Sequence, residues 1–210
     1  MGAPAAAELP GGRRAARPRP RAGAGRHHLP SLIGASALAC SLLYLASDLV
    51  EAAQGGFSTP QLWLTLVAEA ALPPVVIGLW WVQRERFGRL GTAAAVAYAY
   101  AYAFFAYSVV YALVAGTPDY AALTAALGPA MTLHGAIMLL AGIAFGRAVA
   151  RAGVLPAWSG TALAVGVVLV VATQGGPEPA QLLAAAVRDL AIAAMGLALL
   201  RPGRAQPGCS

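Results

Sequence analysis

The chain has 210 residues, of which 59% are hydrophobic and only 10% charged, with a mean hydropathy of +0.68. A soluble domain of this size carries roughly 25% charged residues, so an ordinary water-facing fold is excluded. The net charge of +6 does not point to nucleic acid, because the arginines flank apolar runs, as the positive-inside bias of membrane proteins requires.

Residues 1–28 are rich in Ala, Gly, Pro and Arg and show no apolar periodicity, the composition of a disordered tail. Arg13-Arg14 lacks the flanking residues of a twin-arginine signal, and the next apolar run is long for a signal peptide. It is therefore expected to be an uncleaved first span. Apolar runs near 31–50, 61–82, 91–115, 123–146, 157–173 and 180–200 then predict six spans joined by short loops. The expected fold is all-α, a polytopic transmembrane helix bundle over residues 29–201. Both termini are cytoplasmic, and a short cytoplasmic tail covers 202–210. The expected location is the bacterial inner (cell) membrane, with membrane lipid as partner.

The orientation rests on charge. All 14 basic residues are Arg, and all but Arg188 fall in the two tails or in alternate loops. The remaining loops carry acids: Glu51, Asp119 and Glu178. Trp80, Trp81 and Trp158 sit at the expected inner boundary and Trp63 at the outer one, the positions of an aromatic belt. Cys40 and Cys209 form neither a CxxC nor a metal spacing.

Four ionisable residues fall deep within the apolar runs, apart from Asp48 near the end of the first. Glu69 precedes Pro73-Pro74. Proline frees the carbonyl four residues earlier, so Glu69 combines a carboxyl, a free carbonyl and an expected bend. It lies about 14 residues, or roughly 21 Å, above the inner boundary. His134 lies roughly 18 Å up span four and Asp189 roughly 17 Å up span six, with Arg188 beside it. Each charge costs about 2.5–3.5 kcal/mol at a lipid-facing helix centre, so the four are expected to turn inward as one polar layer. Glu69 with Arg188 is the favoured pair, leaving Asp189 near His134; Arg188 with Asp189 is the local alternative. As a site, Glu69, His134 and Asp189 would supply acid–base groups and Arg188 their charge partner. The same residues would also serve simply to hold helices together.

Span three carries a stripe of Tyr100, Phe104, Tyr107 and Tyr111 at helical spacing. Tyr100, Tyr107 and Tyr111 are candidate ligand-binding residues, with packing and an interface belt as the simpler explanation. Gly142 and Gly146 form a GxxxG that permits close helix approach, within one chain or in a homodimer. A single intramembrane His, with no HxxxH or HExxH, gives no metal site, and no cofactor is expected.

Three stretches, Trp80-Trp81-Val82-Gln83-Arg84 before Phe87-Gly88-Arg89-Leu90-Gly91, then Leu133-His134-Gly135, then Ala186-Val187-Arg188-Asp189-Leu190, resemble small multi-span membrane proteins of actinobacterial type. The resemblance spans roughly residues 30–201. It implies topology and no activity. A small bundle with intramembrane acids and an aromatic wall is also similar in architecture, without shared motifs, to integral-membrane terpene cyclases and sterol isomerases. The leading expectation is a lipophilic small molecule held in a polar-lined pocket, with cyclase- or isomerase-like acid–base chemistry. A small dimeric transporter and a structural or assembly subunit without ligand are the alternatives.

Overall fold

The computed structural model describes Gly2 and residues 28–201. The tails read as 1–28 and 202–210 lie outside the described residues, apart from Gly2 and His28. The described chain is helical: α1 (His28–Gln54), α2 (Thr59–Ala115), α3 (Tyr120–Leu127), α4 (Pro129–Ala152), α5 (Ala157–Ala172) and α6 (Glu178–Leu200). Four of these, α1, α2, α4 and α6, are long and apolar enough to cross a membrane.

Six expected spans thus become four such helices, for two reasons. The second and third are joined in α2, and the fifth, α5, has only 16 residues, about 24 Å of helix against a core of about 30 Å. The fourth also starts later than expected. Gly128 (φ 54°, ψ −133°) separates the eight-residue α3 from α4, which begins at Pro129.

A straight α2 of 57 residues would measure about 86 Å. Its flanking residues instead touch: the Phe57 N–H donates to the Pro118 carbonyl at 2.8 Å. Trp80 Nε1 donates to Thr92 Oγ1 at 3.0 Å, a pair that a straight helix would hold about 18 Å apart. So α2 doubles back into two antiparallel arms, 59–87 and 89–115. The hinge is Gly88, with φ 64° and ψ 177°, a backbone region essentially confined to glycine. Pro73 and Pro74 lie inside the first arm, so the break in helical geometry falls at the glycine and not at the prolines. Gly88→Ala is expected to cost about 1–3 kcal/mol of stability, measured by denaturant unfolding in micelles. Gly135→Ala, where an added Cβ meets nothing within 4 Å, should be neutral or stabilising by about 0.5–1 kcal/mol.

The helices close into a ring. α1 packs on α2, α2 on α4, α4 on α5, α5 on α6, and α6 back on α1. Glycines bring backbones together at three crossings, the α5–α6 one at Gly166 among them. A Cβ on Gly34 would lie 2.7 Å from the Gly196 carbonyl oxygen, and a Cβ on Gly146 would collide with that of Gly160. Gly142 faces Val167 and Tyr98. Both glycines of the GxxxG thus face α5, with Tyr98 of α2 also against Gly142. The core of the ring contains Leu79, Tyr98, Tyr102, Phe145, Leu163 and Met195, all fully buried.

Candidate functional site

The ring has two unlike ends. Arg84, Arg86, Arg89, Arg147, Arg151 and Arg201 lie at or near the end that carries the Gly88 reversal, where Arg86 Nη1 donates to the Ala152 carbonyl at 3.3 Å. Glu51, Asp119 and Glu178 lie at the other. Towards that acidic end the ring encloses a cavity of about 580 Å³. Its walls combine apolar residues, among them Leu62, Phe105, Met131, Leu139 and Val167, with a polar set supplied chiefly by α1, α2 and α6.

The polar set is built from chain order upward. Tyr44, Asp48 and Glu51 recur along one face of α1, and Gln61, Thr65 and Glu69 recur every four residues along the first arm of α2. Both series put side chains on one stripe of a 3.6-residue helix. Where the stripes meet, the Gln61 amide nitrogen lies 3.1 Å from Glu51 Oε2, 3.0 Å from Thr65 Oγ1 and 3.2 Å from Ser47 Oγ. Deeper in, the Tyr44 hydroxyl donates to Glu69 Oε1. Arg188 of α6 stacks over the Tyr44 ring, with Cζ 4.4 Å from its centroid. Its Nε donates to Asp189 Oδ1 at 2.8 Å. α5 makes room for this pair at Gly166, where a Cβ would lie 2.7 Å from the Arg188 Cα.

Glu69, Arg188 and Asp189 therefore do converge, and the connection runs through Tyr44. The direct Glu69–Arg188 pair favoured by depth is not formed; Arg188 takes its chain neighbour, and the tyrosine stands between the two charges. Glu69 is 3% exposed and lines the cavity. Its Oε2, Arg188 Nη2, Gln61 Oε1 and Asp48 Oδ2 are buried without a hydrogen-bond partner among the described residues. Buried polar atoms are nearly always paired; these four, with Thr124 Oγ1, belong to residues that line one cavity. Glu69 Oε2 is placed to exchange a proton or accept a hydrogen bond there; the Arg188–Asp189 pair holds its floor.

His134 is placed elsewhere. Nε2 lies 2.9 Å from the Tyr100 hydroxyl, Nδ1 lies 2.8 Å from the Ala130 carbonyl, and the ring stacks on Phe104 at 3.5 Å. Its neighbours Met131, Thr132 and Gly135 line the cavity, and His134 does not. The aromatic stripe goes with it: Tyr100 and Tyr107 are 55% and 57% exposed on the outside of the ring. Tyr111 packs in a satellite cluster with Leu62, Val109 and Leu123. The tyrosines turned inward are Tyr98 and Tyr102, whose hydroxyls are 3.0 Å apart.

Sequence reasoning passed over Tyr44, Asp48, Gln61 and Thr65. The signal was available. Tyr44 lies about seven residues below the outer end of its span, and Glu69 lies eight below the start of the next, so a hairpin places them level. Tyr44→Phe is expected to lower stability by about 1–3 kcal/mol, the cost of leaving a buried carboxyl oxygen unpaired, while the ring keeps its contact with Arg188. A change below about 0.5 kcal/mol in micelle unfolding would contradict this bond.

No family model matches the chain, and no curated protein or solved structure is significantly similar to it.

Proposed function

We propose that this chain is a multi-pass membrane protein of the bacterial inner membrane that holds a small lipophilic molecule in its central cavity. In this reading both arms of α2 and the short α5 cross the bilayer with α1, α4 and α6, giving six passes with both termini cytoplasmic. The segregation of arginines to the Gly88 end and of loop acids to the other supports that orientation, as does the doubling-back of α2. The cavity then opens toward the outer face. A shallower groove of about 420 Å³ between α4 and α5, bordered by Arg147 and Arg151, faces membrane lipid.

The observation that carries the functional reading is Glu69, which lines a 580 Å³, largely apolar chamber and keeps its buried Oε2 without a hydrogen-bond partner among the described residues. Ligand pockets of about 300–1,000 Å³ have this form: apolar walls that bury the body, and a few polar groups that orient the head. Glu69, held by Tyr44, is the group positioned for proton exchange with that head.

Native mass spectrometry of the protein released from membranes tests this. A bound species of a few hundred daltons should survive in the parent and disappear in Ala136→Trp, which fills the chamber from α4. An identical spectrum for both proteins would reject the reading. The orientation is checked separately with single cysteines in a background in which Cys40 and Cys209 are replaced by Ser. Cysteines at Gly55 and Gly176 should react with an impermeant thiol reagent on intact cells; one at Glu85 should not.

A further inference from the structure

We infer that the cavity selects an organic cation, an amine or quaternary ammonium carried on an apolar body. This rests on the binding function proposed above and names the class of its ligand. The carboxyls lining the chamber are Asp48, Glu51, Glu69 and Glu178. The one lining base is Arg188, and its charge is already matched by Asp189 at 2.8 Å. The excess is therefore acidic, and no described arginine at that end of the ring offsets it. A cleft of one sign with low-dielectric walls focuses its field and concentrates the opposite charge.

The acids do not stand alone as grounds. Glu69 and Gln61 are 3% and 1% exposed, both line the chamber, and each keeps an oxygen without a hydrogen-bond partner among the described residues. Both oxygens accept hydrogen bonds, so they suit a donor or a positive charge. Phe57, Phe105 and Tyr120 line the same space, and aromatic faces attract cations electrostatically. The remaining wall is aliphatic. Among the described residues no three His, Cys, Asp or Glu side chains gather as a metal-ion site, which favours an organic cation over a bare metal ion.

The test uses three probes with one chain length: octyltrimethylammonium, octanol and octanoate. Each is titrated against the full-length protein in phosphatidylcholine nanodiscs, with thermal stabilisation as readout. The ammonium should stabilise saturably, with an apparent affinity about tenfold or more above octanol, and octanoate should be weakest. Added salt should weaken the ammonium alone. Glu69→Gln should lower ammonium affinity about tenfold while leaving octanol nearly unchanged. Should Glu69→Gln fail to fold, Glu178→Gln at the exposed end of α6 serves instead, with a smaller drop confined to the ammonium.

Equal stabilisation by all three probes, or preference for octanoate, would overturn the cation class. If that binding still vanished in Ala136→Trp, the chamber would stand as a binding site and only its selectivity would fall. Absence of binding by any probe would overturn the inference, and a co-purified molecule lost in Ala136→Trp would show that the broader reading survives it.

Discussion

Arg188→Gln alone is expected to destabilise the protein by about 3–5 kcal/mol, whereas Arg188→Gln with Asp189→Asn should cost far less. The reason is the asymmetry of buried ion pairs. Removing one partner leaves the other charge uncompensated, while replacing both removes the desolvation cost with the attraction. Arg188 and Asp189 have side chains 11% and 3% exposed and are joined at 2.8 Å, so both halves of the argument apply. The double change also removes the guanidinium from the Tyr44 face, a loss of about 0.5–2 kcal/mol that sets its residual cost. Reversible unfolding in SDS–lipid mixed micelles measures all three proteins. A double variant as unstable as Arg188→Gln would show that Arg188 acts through contacts other than Asp189.

Gly146→Val should have the second large effect. The carbonyl of Gly160 occupies the place a Cβ would take, and the Ala164 amide nitrogen is 3.1 Å from it. Backbone atoms cannot rotate aside as a side chain can, so α4 and α5 would have to separate. Overpacking of this kind costs about 1–3 kcal/mol or more. The effect should be specific to the crossing. Leu140→Val, at a site 68% exposed on the outside of the same helix, should change stability by less than about 0.5 kcal/mol. Comparable losses in the two variants would mean that α4 does not depend on that contact.

Composition made the helical class legible, with helices long and apolar enough to cross a membrane, because apolar runs near 20 residues have few other solutions. The depth of Glu69, Arg188 and Asp189 was legible too, since rise per residue converts sequence distance into height. What depth does not provide is azimuth. His134 was counted to the same layer as Glu69, and Tyr107 to a ligand-binding stripe, yet His134 turns toward Tyr100 and Phe104 and Tyr107 toward the exterior. In so Ala- and Gly-rich a chain, helix faces differ little in hydrophobicity, so the inward face is weakly marked. The Arg188 pairing failed for a related reason: a neighbour 100° around the helix was counted as pointing away, but a long guanidinium reaches back to it. The joining of two spans at Gly88 and the break at Gly128 both hinge on glycines with positive φ; the Pro129 that follows marks Gly128 as a break, whereas no such neighbour marks Gly88.

The packing of α6 on α1 at Gly34 and Gly196 has a consequence for how the protein is made. Helices α1 and α6 are made far apart in time, yet they are neighbours in the ring. At about 5–20 residues per second, the nascent chain waits roughly 6–25 s between completing α1 and beginning α6. Once Glu69 has been made it can meet Tyr44, but Arg188 does not yet exist to cover them. An unfinished chain therefore displays an acidic face along its open seam. Any factor that shields polar helices during insertion would meet that face first, and a chain truncated before α6 would present it permanently.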